Sequence, residues 1–176
     1  MQGDAGWLKD LIRDIPDFPR PGVVFKDLTP LFAHAGALTF IVEALSDPFA
    51  GAGITKVVGI EARGFIVAAP IAVALDAGFI PVRKLGKLPW QTAQESYELE
   101  YGSDALELHS DALDAGDRVL VIDDVLATGG TAAATVRLVE RLGASVVGLG
   151  FILELGFLNG RRKLAGHDLT ALIHYE

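Results

Sequence analysis

Short, continuous apolar runs alternate with helical segments along most of the chain, and this alternation most constrains the fold. Such runs are rich in β-branched residues and do not alternate with polar residues, which is typical of strands buried on both faces of a sheet. The pattern predicts an α/β fold with a central, mostly parallel sheet flanked by helices, in which ligands bind beyond the carboxyl ends of the strands. The predicted strands are Lys56–Ile60, Phe79–Arg83, Arg118–Ile122, Ser145–Leu153 and Leu169–His174, and the predicted helices are Gly36–Leu45, Gly64–Leu75 and Thr131–Leu142.

Composition excludes several classes of protein. The 176 residues are 51% hydrophobic and 22% charged, which predicts one ordinary folded domain spanning residues 1–176 and excludes a mostly disordered chain. The absence of cysteine excludes disulfides, thiolate metal sites and cysteine nucleophiles. A net charge of −8 argues against a nucleic-acid partner. No basic-then-apolar leader opens the sequence, and the longest apolar run, Phe65–Leu75, is shorter than the ~20 residues of a membrane span, so we expect a cytoplasmic protein without membrane contact.

Two segments interrupt the alternation. Three prolines between Ile15 and Gly22 predict a turn-rich N-terminal arm, so we expect the first thirty residues to be irregular. The long connection Leu85–Gly102 predicts a functional lid, and weak alternation over Ser96–Tyr101 allows a strand in its second half. Eight acidic residues and no lysine or arginine lie between Lys87 and Arg118, and we expect most of these acids to form a solvated surface.

The segment Val119–Thr131 carries the clearest chemistry. An apolar strand is followed by Asp123 and Asp124, a loop of small residues and a helix. Glycines in that loop allow backbone N–H groups to point inward, and the start of the helix adds further free N–H groups, so the loop can hold a phosphate. Because the loop lacks the lysine of a nucleoside-triphosphate loop, an anchoring monophosphate is expected. The two carboxylates at the predicted end of the strand suit sugar hydroxyls, although a purely structural turn role for Asp124 is the alternative.

This segment resembles the phosphoribosyl pyrophosphate (PRPP) binding motif of the type I phosphoribosyltransferases. The resemblance extends over nearly the whole chain and is closest to those members of the family that use adenine. The other matching segments are Asp17–Pro19, Pro21–Phe25, Arg63–Phe65, Arg83–Lys84, Gly86–Pro89, Tyr97–Gly102 and Gly160–Glu176.

The resemblance implies a type I phosphoribosyltransferase fold with an N-terminal hood over residues 1–33 and a flexible lid over residues 85–102. It also implies a role for each matching residue. The 5′-phosphate of PRPP would bind to Ala127, Thr128, Gly129, Gly130 and Thr131, and the ribose hydroxyls to Asp123 and Asp124. Pyrophosphate would contact Arg63, Arg83, Lys84 and Lys87, adenine would contact Val24, Phe25 and Leu155, and Glu100 would be the catalytic acid.

The reaction implied by the resemblance is adenine plus PRPP giving AMP and pyrophosphate, a step of purine salvage. Mg²⁺ would bind mainly through PRPP and pyrophosphate, with no protein ligand assigned to the metal, and the enzyme would be a homodimer. A cis peptide bond is expected at Glu61–Ala62. Three alternatives stay open: a phosphoribosyltransferase for hypoxanthine, guanine or xanthine, a PRPP-sensing regulator without catalysis, and an unrelated nucleotide-binding α/β module.

Overall fold

Residues 5–98 and 102–176 are described by a computed structural model of the chain. In these residues seven strands form one sheet in the order β5-β6-β4-β3-β7-β8-β9, and β1 and β2 form a separate hairpin. The strands are β1 Arg13–Pro16, β2 Val24–Asp27, β3 Lys56–Ile60, β4 Gly78–Lys84, β5 Thr92–Glu98, β6 Ser103–His109, β7 Arg118–Leu126, β8 Ser145–Leu155 and β9 Leu169–Tyr175. The α-helices are α1 Thr29–Ala33, α2 Ala35–Ser46, α3 Gly64–Ala74 and α4 Gly130–Arg141, and 3-10 turns span Ala5–Leu11, Asp47–Phe49, Gly156–Leu158 and Gly160–Leu164.

The five strands from β4 to β9 along the sheet pair in parallel, as the sequence predicts. Strand β3 lies between β4 and β7, and both neighbours run in its direction. Strands β8 and β9 continue the parallel pairing beyond β7. The carboxyl ends of these strands therefore meet at one edge, and the loops that follow β3, β4 and β7 lie next to one another.

Each face of the sheet is covered by its own apolar core. Val58 and Val121 pack on one face with α4, whereas Val57 and Leu120 pack on the other with α2 and α3. Successive side chains of a strand point to opposite faces, so the positions of a strand that contact the cores on both sides are apolar. This requirement explains why the predicted strands are continuous apolar runs. No helix within the described residues is long and apolar enough to cross a membrane.

The N-terminal segment is more regular than predicted. Instead of an irregular arm, the structure has a 3-10 turn over Ala5–Leu11 and the β1–β2 hairpin, in which Pro16 pairs with Val24. Proline is tolerated here because β1 is an edge strand of two and Pro16 is its last residue. The prolines that follow lie in the connection between these strands, where the Phe18–Pro19 peptide is cis.

The segment 85–102, predicted to be a lid, contains one strand of a β-hairpin, β5. Strand β5 begins at Thr92, before the predicted Ser96, and pairs antiparallel with β6, which the sequence analysis did not predict. Strand β6 also joins the main sheet through an antiparallel pairing with β4 at Arg83 and Lys84. The hairpin is thus an extension of the sheet at its β4 edge.

Candidate active site

A loop of small residues between β7 and α4 forms a cup at the carboxyl edge of the sheet. Its cavity is lined by Asp123 and by residues 125–132, which include the predicted phosphate-binding residues Ala127, Thr128, Gly129, Gly130 and Thr131. Gly129 has a φ of 75°, a left-handed conformation that favours glycine. Gly130 is the first residue of α4, so the free N–H groups of the helix start face this loop. The cup can hold an anion with backbone amides and threonine hydroxyls.

The two aspartates are buried within β7. The structure corrects the prediction that the strand ends before them, because β7 continues to Leu126 through its pairing with β8. Asp123 is 9% and Asp124 is 6% exposed, and the Asp124 amide donates to Asp123 Oδ1 at 2.8 Å. Burial, followed by the charge of Asp124, raises the pKa of Asp123 well above its ordinary value. Hydroxyl donors from a sugar would satisfy these carboxylates.

Arg63 connects the aspartates to the N-terminal hairpin. It lies at the start of α3, directly after β3, and its Nε is 2.6 Å from Asp124 Oδ2. The Arg63 guanidinium also lies over the ring of Phe25, with 5.1 Å between the guanidinium carbon and the ring centroid. The structure thus brings together a residue predicted to bind ribose, one predicted to bind pyrophosphate and one predicted to bind adenine.

Two further predicted pyrophosphate residues, Arg83 and Lys84, are held at the end of β4. Arg83 Nε donates to Glu61 Oε2 at 3.0 Å, and the Lys84 amide donates to the same oxygen at 3.0 Å. The predicted cis peptide bond between Glu61 and Ala62 is confirmed. Glu61 was missed by the sequence analysis, although its position two residues before Arg63 was a usable signal.

The β5–β6 hairpin is tied to the same edge through Lys84. Lys84 Nζ lies 3.0 Å from Asp104 Oδ2, and the Tyr97 hydroxyl donates to that oxygen at 3.2 Å. Hydrogen bonding to Asp104 raises the pKa of Lys84, and the same contact lowers the pKa of Asp104. The Tyr97 ring packs close to Gly130 of the cup. These contacts place β5 and β6 beside the loop between β7 and α4.

Lys87 belongs to a separate cluster, on the exposed turn after β4. The turn is held by Glu107, whose Oε1 accepts hydrogen bonds from the Lys87 and Leu88 amides. Glu107 is only 3% exposed, so the prediction of a solvated acidic surface is wrong for this residue. The flanking leucines of Leu106-Glu107-Leu108 were a signal that this carboxylate is buried.

The predicted adenine residues lie on different elements. Phe25 is half-buried on β2 and packs edge-to-face against Phe18, with 5.2 Å between the ring centroids. Val24 is exposed at the start of the same strand, and Leu155 is half-buried at the end of β8. The predicted catalytic residue Glu100 lies outside the described residues.

Comparison with known proteins defines the class. Residues 30–163 match the sequence profile of the phosphoribosyl transferase domain family. The chain therefore belongs to the phosphoribosyltransferase family.

Within that family the chain groups with the adenine phosphoribosyltransferases, as its sequence predicts. It is 58% identical over 173 residues to adenine phosphoribosyltransferase of Thermobifida fusca, with 98% of each chain covered. It is 55% identical to the crystal structure of adenine phosphoribosyltransferase from Rhodothermus marinus, with a TM-score of 0.93 and 98% of each chain covered. The enzyme of Saccharomyces cerevisiae, solved with an iminoaltritol bisphosphate and adenine, has a TM-score of 0.91 at 40% identity, with 98% of this chain and 99% of that chain covered.

Proposed function

We propose a role for each part of this site in a chain that transfers the 5-phosphoribosyl group of PRPP to adenine, giving AMP and pyrophosphate. The observation that carries the proposal is the buried pair Asp123 and Asp124 beside the glycine cup. A cup of amides suits a terminal phosphate, and buried carboxylates one sugar ring away suit hydroxyl groups. The cup and the carboxylates together can therefore bind both parts of a ribose 5-phosphate, its phosphate and its sugar hydroxyls.

The cup residues bind the 5′-phosphate, and the aspartates bind the ribose hydroxyls. As the bond between C1 of the ribose and the pyrophosphate oxygen breaks, positive charge develops on the sugar ring. Carboxylates fixed within β7 lie close to that charge and stabilise it without reorganising. Catalysis then rests mainly on positioning and electrostatics.

Arg63, Arg83, Lys84 and Lys87 bind pyrophosphate. The first three are each held by a carboxylate, from Asp124, Glu61 and Asp104 respectively. Their side chains are therefore ordered before the ligand arrives, which lowers the entropic cost of binding. Mg²⁺ enters as part of the substrate complex with PRPP, which suits an ion that keeps much of its water.

A cytoplasmic location and the absence of nucleic-acid partners stay predictions.

Adenine binds between the N-terminal hairpin and the end of β8. Phe25 stacks on one face of the ring, Leu155 packs on the other, and the Val24 backbone reads the edge of the base. Glu100 exchanges the proton that the purine loses when its nitrogen attacks C1. Residues 1–33 form the hood over the base, and residues 85–102 form the lid that excludes water, both as parts of one domain.

We also propose that two copies of the chain pair through α3. This helix has the sequence GFIVAAPIAVA, with no charged residue, and a surface helix normally has a polar face. Ile66 and Val73 are 42% and 82% exposed on α3, and Phe79 on the neighbouring β4 is 37% exposed. A second copy would cover this surface.

Light scattering tests the dimer. We expect wild type and a Thr39→Glu control, which adds the same charge to an exposed position of α2, to have the mass of a dimer. Val73→Glu should have the mass of a monomer, because the added charge would be buried at the interface. A wild-type monomer at micromolar concentration would contradict the proposal.

A panel of purine bases tests the proposed reaction. With PRPP and Mg²⁺, we expect adenine to give AMP and pyrophosphate, and hypoxanthine, guanine and xanthine to react far more slowly. The double variant Asp123→Asn, Asp124→Asn should lose most activity, whereas Asp10→Asn, Asp111→Asn removes the same charge from exposed positions and should not. A faster reaction with another base would support the alternative specificity. Binding of PRPP without any product would support a regulator.

A further inference from the structure

The phosphate loop rests directly on the backbone of Gly160. A Cβ atom added at Gly160 would lie 2.2 Å from the Ala127 carbonyl oxygen and 2.8 Å from the Gly129 nitrogen. A Cβ added at Gly129 would lie 2.4 Å from the Gly160 carbonyl oxygen. Real side chains do not fit at such distances, so the two backbones touch with nothing between them. Gly160 therefore forms a floor under the loop residues 127–129.

An ion pair fixes the segment that carries this floor. Arg161 follows Gly160, and its Nε and Nη2 lie 3.1 Å and 2.6 Å from the two carboxylate oxygens of Glu154. Glu154 is 7% exposed on β8, where it pairs in register with Leu126, the residue just before the phosphate loop. His174 Nδ1 lies 3.2 Å from Glu154 Oε2 and adds a contact from β9.

A bidentate ion pair of this kind fixes both the distance and the angle between the guanidinium and the carboxylate. One end of the link is Glu154, level with the end of β7, and the other is the residue next to Gly160. Because β7 and the Gly160 segment are joined in this way, the loop is held from both sides. Backbone amides that bind a phosphate must be placed within about half an ångström, so a floor that shifts would weaken binding.

We propose that Glu154 and Arg161 are positioning residues that set the affinity of the cup for the 5′-phosphate of PRPP. The inference rests on the proposed role of the cup. Arg161 acts through Gly160 and the loop, because its charge is already paired with a carboxylate beneath the site. The ligand class is a sugar 5-phosphate, and adenine binding should not depend on this pair.

Steady-state kinetics of three substitutions test the inference. For Arg161→Gln we expect the KM for PRPP and the inhibition constant of ribose 5-phosphate to rise about tenfold, as loss of a charged hydrogen-bonded pair suggests. The kcat and the KM for adenine at saturating PRPP should change less than twofold. Arg161→Lys should keep more of the affinity for PRPP than Arg161→Gln, because lysine keeps the positive charge although it cannot form the bidentate pair. Gly160→Ala should repeat the PRPP effect, because it displaces the floor itself.

Matched variants separate the possible failures. Arg162→Gln removes an exposed arginine one residue further on and should behave as wild type. Thr131→Val alters the cup directly: if it leaves the KM for PRPP unchanged, the proposed role of the cup is wrong. If Thr131→Val raises that KM and Arg161→Gln does not, only the positioning role is overturned. Equal losses for PRPP and adenine in Arg161→Gln would indicate a general structural role and would also overturn it.

Discussion

The buried carboxylate of Glu107 offers a direct test of how the turn after β4 is attached to the β5–β6 hairpin. It lies in β6 between Leu106 and Leu108, which belong to the apolar core. Its Oε1 accepts from the Lys87 and Leu88 amides at 3.0 and 3.1 Å, and its Oε2 accepts from the Thr92 hydroxyl at 3.2 Å. Replacing Glu107 with alanine removes the acceptor for all three donors at once.

The size of the effect follows from these contacts. An unsatisfied buried donor costs about 1–3 kcal/mol, and the lower end applies here because the Lys87 turn is exposed and water can replace part of the interaction. Three donors at about 1 kcal/mol each give a loss of roughly 3 kcal/mol for Glu107→Ala. Glu107→Gln keeps an oxygen for the two amides, and it removes a buried charge, so we expect it to cost about 1 kcal/mol or less.

Urea unfolding followed by circular dichroism measures these differences, with Glu43→Ala as the control at an exposed glutamate. Because the turn carries Lys87, we also expect the KM for PRPP to rise in Glu107→Ala and to stay near wild type in Glu107→Gln. A loss below about 0.5 kcal/mol in Glu107→Ala would refute the anchoring role. Equal losses in the two variants would show that charge, and not the hydrogen-bond acceptor, is what matters.

Three further substitutions probe the proposed site. In the folded state the raised pKa makes Asp123 hold a proton that the unfolded chain has already lost, so wild type loses stability as pH rises from the ordinary carboxyl pKa of about 4 towards the raised value. The melting temperature of Asp123→Asn should therefore exceed that of wild type by a margin that widens as pH rises above about 4, and a constant margin would contradict this. Phe25→Leu should raise the KM for adenine about three- to tenfold, as loss of ring stacking implies, while the KM for PRPP rises less, because Phe25 reaches the pyrophosphate site only through its contact with Arg63. In Gly64→Ala the new Cβ would lie 2.8 Å from Asp123 Oδ1, so kcat/KM for PRPP should fall more than about tenfold. Gly116→Ala is the matched control, because a Cβ added there would have no neighbour within 4 Å.

The central strands were predictable because strands that are buried on both faces of a sheet carry continuous runs of apolar residues. Val57 and Val58 face different cores, and so do Leu120 and Val121, so the middle of each strand must be apolar on both sides. The cup was predictable for a related reason, since a left-handed residue before a helix calls for glycine, as at Gly129. These features depend on local sequence and a single physical requirement.

The features that the sequence analysis missed depend on partners distant in the chain. Asp123 and Asp124 read as the end of a strand, yet β7 continues because Val125 pairs with Leu153 of β8. Strand β6 carries Asp104 and Glu107 and was not predicted, because its acids are satisfied by Lys84 and by the turn that follows β4. Charge alone suggested solvent exposure, and only the three-dimensional arrangement shows which partner neutralises each acid.

The proposed pyrophosphate site requires a chain with a net charge of −8 to bind a polyanion, and the pairing of acids with bases bears on how it would do so. Arg63, Arg83 and Lys84 converge on the carboxyl edge of the sheet, and each is held there by a carboxylate. These carboxylates weaken the local positive potential, but they fix the geometry of the cations before the ligand arrives. In the proposed site, the cup would need no side-chain cation to bind a phosphate, because backbone amides and the start of α4 supply donors. Net charge therefore describes the whole surface of this protein, whereas anion binding depends on a few donors placed at one edge.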